Sequence, residues 1–307
     1  MATRESRLAQ FSQGVPKENR PLEILCEDQS GTYIIPYPCE WSEGAWRKVG
    51  SAKHIEATVI GWRFGDDPRQ GGSCNPRAYI RSMCGRFTNR LTWREIVALY
   101  RLSVPATPER NLPARYNICP TDTIDTVVEE DGKRDLMPMR WGLVPWWWKK
   151  RAKDVPATFN ARAETISEKP MFRDAFKRRR CLIPASGYYE WQSTPTGKQP
   201  YYFSTENGAP LTIAGLWDEW KDIETGVPLR SCTMIITTAN DFVGKIHDRM
   251  PALLTPYQFD SWLSGGAGPE LLRPWDQRSL QMYPVSRRVN SSKAASDDPT
   301  LIERIEV

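Results

Sequence analysis

From Met83 onward the sequence is a succession of short apolar and β-branched runs at irregular spacing, broken by Gly, Pro and Asn, with few helical periods between them. This pattern is the strongest constraint on the fold. A doubly wound sheet needs strands alternating with long helices, and no such alternation is present. No internal repeat is visible. An α+β chain whose strands pair mainly with one another remains. Strand candidates are Met83–Thr88, Thr126–Val128, Leu136–Leu143, Pro200–Phe203, Leu211–Trp217 and Leu280–Pro284. Cys232–Thr238, rich in Ile and Thr, is the strongest. Cys181–Trp191 reads as strand, turn, strand, with Gly187 permitting the bend, and Asp131–Arg134 reads as a turn. Helical spacing covers Thr92–Tyr100, where Thr92 and Glu95 make a capping box. It recurs in Lys169–Arg179 and in Thr255–Trp262, which opens with Thr255 as cap and Pro256 in the first position. Ser291–Pro299 is polar and turn-rich.

A chain of 307 residues can bury a sizeable core without disulfides. Its seven Cys are an odd number, which argues against a disulfide framework and for reduced thiols in the cytoplasm. The N-terminus, MATRESRLAQ, has no apolar signal core, and no apolar run approaches the roughly 20 residues of a membrane span. The two His, His54 and His247, exclude a His-rich metal centre. Cys26, Cys39, His54 and Cys74 are spaced far more widely than the ligands of a zinc finger. The glycine-rich nucleotide loops, H-E-x-x-H, C-x-x-C and G-x-S-x-G are absent. Residues 1–82 differ in texture, with 11 Lys/Arg against 10 Asp/Glu and frequent Gly and Pro. Only Gly31–Ile35 and Ile55–Phe64 look strand-like there. The segment reads as a weakly folded N-terminal extension, arising from an upstream start or removable as a leader, ahead of a domain over residues 83–307.

Lys and Arg number 42 against 37 Asp and Glu, an excess that admits a nucleic-acid partner without requiring one. The run Trp146–Lys153, WWWKKRAK, is more telling. Three consecutive Trp cannot all face one core, so at least one reaches the surface or a groove. Exposed indole beside Lys and Arg suits single-stranded DNA, with cations on phosphate and rings stacked on bases or wedged between them. Lys177–Arg180, KRRR, is a second basic cluster, and Arg86, Arg140 and Arg162 are further cations. A solvated face is the alternative for either cluster. No recognition helix is evident, so backbone and shape rather than base sequence would be read.

Four residues carry candidate chemistry. Glu190 lies in GYYEW, where strand alternation puts Tyr189 and Trp191 on one face and Glu190 on the other. Desolvation there would raise its pKa and suit it to proton transfer. His247, in KIHDRMP, sits in a loop context, and Asn117, in RYNICP, precedes a Pro-bounded turn where capping is the ordinary role. Cys84 follows Met83 directly. If the mature chain begins at Cys84, one residue carries an α-amine and a thiol with reference pKa values of about 7.7 and 8.5. An aldehyde can condense with that amine to an imine, and the thiol can close a five-membered thiazolidine. An internal Cys, its nitrogen held in an amide, cannot do this, and a buried small hydrophobe is the plain alternative.

Six blocks occur in order: Met83–Phe87, Arg115–Asn117, Arg140–Leu143, Asn160–Glu164, Gly187–Trp191 and His247–Pro251. Together they resemble the SOS-response-associated peptidase family, over Met83 to about Ile302. The resemblance implies a compact α+β domain on curved, barrel-like antiparallel sheets with short flanking helices. It implies covalent cross-linking to abasic sites in single-stranded DNA, at single-strand/double-strand junctions among other contexts, by a monomer with no metal or cofactor. It implies autopeptidase and minor lyase activity, and no membrane association. By the same resemblance Cys84 is the nucleophile, Asn117 positions its amine, Glu190 is the general acid and base, and His247 assists proton transfer. Arg86, Arg140 and Arg162 would meet phosphates, and Trp141, Trp146 and Trp147 would stack or wedge. A thiol-dependent peptide or amide hydrolase, a noncatalytic single-stranded DNA-binding module and a binder of modified bases are the competing readings. No base-flipping pocket is assignable for the last.

Overall fold

The computed structural model describes residues 11–16, 22–28, 31–34, 39–42, 44–49, 54–64, 84–103, 110–276 and 279–306. The chain divides into two compact units, Met1–Tyr79 and Ile80–Val307. In the first, strands β1 (Leu22–Asp28), β2 (Gly31–Ile34), β3 (Cys39–Ser42), β4 (Ala45–Lys48) and β5 (Thr58–Phe64) form one antiparallel sheet. Ile24, Cys26 and Cys39 are its buried centre, with Trp46, Val59 and Trp62 packed around them. Both strands expected here are present, as β2 and β5, and three that were not expected, β1, β3 and β4, join them in a five-stranded sheet with a small core, where the sequence suggested a weakly folded extension. Cys74, Met83 and Ile35 lie outside the described residues.

The second unit carries the remaining strands. In chain order they are β6 (Arg86–Asn89), β7 (Arg115–Ile118), β8 (Thr123–Glu130), β9 (Lys133–Trp141), β10 (Asn160–Arg162), β11 (Arg180–Ala185), β12 (Gly187–Thr194), β13 (Gly197–Thr205), β14 (Leu211–Lys221), β15 (Pro228–Thr238), β16 (Arg249–Pro251) and β17 (Leu280–Pro284). Helices α1 (Trp93–Tyr100), α2 (Arg173–Arg178) and α3 (Phe259–Leu263) flank them. Strands β15, β14, β11, β8 and β9 pair in sequence, and a short parallel pairing of β9 with β15 closes the ring into a barrel. Strands β17, β13, β12, β6 and β7 form a second, antiparallel sheet. This is the α+β, barrel-like architecture expected from the sequence.

Alternation along the barrel strands explains the packing. Cys181, Ile183, Ile213, Met234 and Ile236 join Phe87, Tyr188 and Phe203 of the second sheet in one core. Their neighbours Leu182, Ala214, Leu216 and Ile235 point the other way. There they meet Ile96 and Tyr100 of α1, Phe176 of α2 and Phe259 and Trp262 of α3. Local chemistry fixes the connections. Asp131 and Gly132, at φ 51° and 69°, make the tight turn of the β8–β9 hairpin. The α1 capping box is formed, with Thr92 Oγ1 accepting from Glu95 N–H and Glu95 accepting from Thr92 N–H. Gly187 is demanded by close approach, since a Cβ there would fall 2.3 Å from Tyr202 Oη. No helix among the described residues is long and apolar enough to cross a membrane.

Candidate active site

The site forms where the chain enters β6. Cys84 is buried, and its backbone N–H and its thiol both donate to one atom, Glu190 Oε1, at 2.8 and 2.5 Å. Register explains the meeting: Phe87 pairs with Tyr188 and Arg86 with Tyr189, so the residues before Arg86 run alongside Glu190. Alternation holds as expected. Tyr189 and Trp191 pack on the far face with Val285, Val289 and Leu301, while Glu190 points to the barrel side. Glu190 is completely buried, and burial pushes its carboxyl up to about 8 against the opposing pull of its bonds from Cys84 and Trp191. Burial, then the neighbouring Glu190, push the Cys84 thiol well above its ordinary range. Cys84 also has φ 35°, in the left-handed region that disfavours a residue with a Cβ.

His247 stands at the rim. Its Nδ1 lies 3.9 Å from Glu190 Oε2, beyond hydrogen-bond length, and accepts from Arg249 N–H at 3.1 Å. Burial lowers its pKa and favours the neutral ring. A neutral imidazole that accepts at Nδ1 carries its proton on Nε2. Glu190 Oε2 itself has no hydrogen-bond partner among the described residues.

Asn117 is placed differently from the role its motif suggested. Its Nδ2 donates to the carbonyls of Ser291 and Ala294, and its Oδ1 accepts from Arg86. None of these bonds reaches Cys84 or Glu190. The asparagine that touches Cys84 is Asn160, whose Nδ2 donates to the Cys84 carbonyl at 3.4 Å. Asn160 leads β10, which the parallel pairing with Met234–Ile236 of β15 carries to the site. Asn160 lies in the Asn160–Glu164 block, but spacing alone does not say which Asn meets Cys84.

The cations and rings divide sharply. Trp146 is 59% exposed, with Lys149, Lys150, Arg151 and Lys153 exposed after it. Trp147 and Trp148 are half-buried and lie against each other. The loop is tied down by Asp218, which accepts from Trp146 N–H at 3.0 Å, and by Trp220, which donates to the Trp148 carbonyl. Trp141 corrects the expectation of a stacking role. It is fully buried, edge-on to Phe87 and Phe159, and bonded to the Phe159 carbonyl, so no base can reach it. Arg86 is committed to the carbonyls of Asn290 and Ser291 and lies over Trp191. Arg140 is half-buried and bonds the Gly142 carbonyl, whereas Arg162 is exposed. The KRRR cluster splits in the same way. Lys177 and Arg178 are exposed, Arg179 pairs with Asp218, and Arg180 is buried between Phe176 and Trp262. Among the described residues no group of three or more His, Cys, Asp or Glu is arranged to hold a metal ion.

The family model of the SOS response associated peptidase (SRAP) matches residues 83–292. The chain is 37% identical over 230 residues to the abasic site processing protein YoqW of Bacillus subtilis (strain 168), covering 72% of this chain and 99% of that protein. It is 30% identical over 225 residues to the abasic site processing protein YedK of Escherichia coli (strain K12), covering 69% and 96%. The abasic site processing protein HMCES of Gallus gallus is 35% identical over 208 residues, covering 58% of this chain and 60% of that protein. A crystal structure of a protein from Bacteroides thetaiotaomicron superimposes with a TM-score of 0.64 at 26% identity, over 73% of this chain and all of that one. With its matched segment beginning one residue before the cysteine that Glu190 holds, this chain belongs to the SOS response-associated peptidase family.

Proposed function

We propose that the protein traps abasic sites in single-stranded DNA through Cys84, once that residue is the first of the chain. One observation carries the reading: a single buried carboxylate oxygen accepts from both the nitrogen and the sulfur of Cys84, at 2.8 and 2.5 Å. An aldehyde trap of this kind uses both atoms on one carbon. The abasic sugar is mainly a closed hemiacetal, and Glu190 moves the protons that open it. The Cys84 amine then attacks C1′, water leaves, and an imine forms. The sulfur adds to the imine carbon while its proton passes to nitrogen, and the five-membered ring is closed. The balance is one protein plus one abasic strand, less one water. Asn160 holds the Cys84 carbonyl, which fixes the residue's orientation as both atoms react. The Trp146 loop and its lysines would hold the flanking strand.

The same oxygen supports self-processing. With the chain intact, the Cys84 sulfur attacks the carbonyl carbon of residue 83, Glu190 Oε1 takes the thiol proton, and the departing Cys84 nitrogen receives it. Water then hydrolyses the thioester and regenerates the thiol. The left-handed φ of Cys84 favours this step, because the strain is released when its amide is cut.

The test is reaction of a chain beginning at Cys84 with a single-stranded oligonucleotide bearing one abasic site. The expected product survives denaturation and has the summed mass less one water. Failure to form it, with the oligonucleotide still bound, overturns the trapping reading in favour of noncatalytic DNA binding.

A further inference from the structure

The hydroxyl of Tyr188 has no part in the chemistry above. Tyr188 is fully buried, and its Oη has no hydrogen-bond partner among the described residues. The other buried tyrosines are satisfied. Tyr202 bonds Thr88 at 2.8 Å, Tyr189 the Tyr116 carbonyl at 2.7 Å, and Tyr100 Thr212 at 2.8 Å. Burying a hydroxyl unpaired is unfavourable, and phenylalanine would fill the same volume without that cost.

Its surroundings say what the hydroxyl serves. Tyr188 precedes Glu190 by two residues on β12, so both side chains rise from one face of the sheet. Its ring is fixed by stacking on Phe203, 5.0 Å between centroids and 8° from parallel, and it shares the core that holds Cys84. Burial, then the neighbouring Cys84 and Glu190, push the phenol well above its ordinary range, so it stays protonated and a donor. Glu190 Oε2, on the same face, likewise has no hydrogen-bond partner among the described residues. A fixed donor and an unpaired carboxylate oxygen on one face beside the nucleophile suit a single small oxygen-bearing group.

We propose that Tyr188 is a catalytic residue of the aldehyde reaction, its hydroxyl donating a hydrogen bond to the C1′ oxygen of the opened abasic sugar while Glu190 exchanges protons with the same oxygen. The inference rests on the adduct reading above. When the Cys84 amine adds to C1′, the carbonyl π pair moves onto that oxygen, and Tyr188 stabilises the charge as it develops. Glu190 relays one proton from the amine nitrogen to that oxygen and delivers a second, with which the oxygen leaves as water while the nitrogen lone pair forms the C=N bond; the remaining amine proton then returns to Glu190. Tyr188 keeps its own proton throughout.

The experiment compares Tyr188→Phe with the parent, both beginning at Cys84. Adduct formation should slow about tenfold to a hundredfold. Imine trapped by borohydride at short times should fall in parallel. Affinity for the same oligonucleotide carrying a tetrahydrofuran, which has no aldehyde, should not change. The melting temperature should stay the same or rise, because no hydrogen bond among the described residues is lost. An unchanged adduct rate overturns the proposal, and so does a lowered melting temperature, which would give the hydroxyl a structural partner. If the parent itself forms no adduct, the adduct reading falls and takes this proposal with it; full-rate adduct in Tyr188→Phe removes Tyr188 alone.

Discussion

Glu190 is a carboxyl that folding makes harder to ionise, and this has a consequence for stability that does not depend on DNA. Its pKa moves from an ordinary 4.5 to about 8, chiefly through burial. Between those values the folded chain holds a proton that the unfolded chain has lost. Glu190's contribution is therefore fully present below about pH 4.5 and is lost as pH rises through about 8. In a Cys84→Ala background, which blocks processing, Glu190→Gln should be relatively more stable as pH rises from 5 to 9. The difference in melting temperature between the pair across pH reads this directly, and a constant difference would refute it. The same substitution should slow adduct formation in the processed chain by about a hundredfold while leaving DNA affinity unchanged. Much of this centre was legible in the sequence. Alternation alone separates Glu190 from Tyr189 and Trp191, and the motifs lead to Cys84 and His247. The asparagine was not legible, because a contact between Asn160 and Cys84 is created by the pairing of β10 with β15, a relation between residues more than 70 positions apart.

At the scale of the element, the loop between β9 and β10 carries the proposed DNA contact, and its two tryptophan environments make opposite predictions. Trp146 is exposed, and stacking on a base is worth about 1–3 kcal/mol. Trp146→Ala should weaken binding to single-stranded DNA at least fivefold and leave the melting temperature near that of the parent. Trp141 is in the core, so Trp141→Ala should cost about 3–5 kcal/mol of stability. Fluorescence titration with an undamaged oligonucleotide and a denaturant melt distinguish the two; loss of affinity without loss of stability in Trp141→Ala would contradict the assignment. The sequence showed that three adjacent indoles cannot all be buried. It did not show that Trp141, a few residues earlier, closes the barrel beside Cys232, because that position is set by the short β9–β15 pairing. Asp218 was equally hidden. In the sequence it is one of two adjacent carboxylates, Asp218 and Glu219, between Trp217 and Trp220, and only the fold reveals that it anchors Trp146 and Arg179 together.

For the molecule as a whole, the question is what becomes of the unit Met1–Tyr79 that precedes the family domain. Of its strands β2 and β5 were legible and β1, β3 and β4 were not, for a physical reason: β3 and β4 have four residues each, too short to display alternation, and the buried set of Ile24, Cys26 and Cys39 is scattered among Gly, Pro and balanced charge. An ordered unit does not protect the bond that follows it. Scission before Cys84 requires the sulfur, the nitrogen and Glu190 Oε1, which lie together in the second unit. A residue at φ 35° is held there against a cost of about 1–2 kcal/mol, and that cost vanishes when the amide becomes a free amine. Intact mass of the expressed full chain should therefore show loss of residues 1–83. Cys84→Ala should retain them, and Glu190→Gln should lose them more slowly. Removal from Cys84→Ala at the parent rate would assign the cut to an external protease. A parent chain that keeps all 307 residues, yet forms the water-minus adduct, would leave the trapping chemistry without its free nitrogen and overturn the proposed role of Cys84.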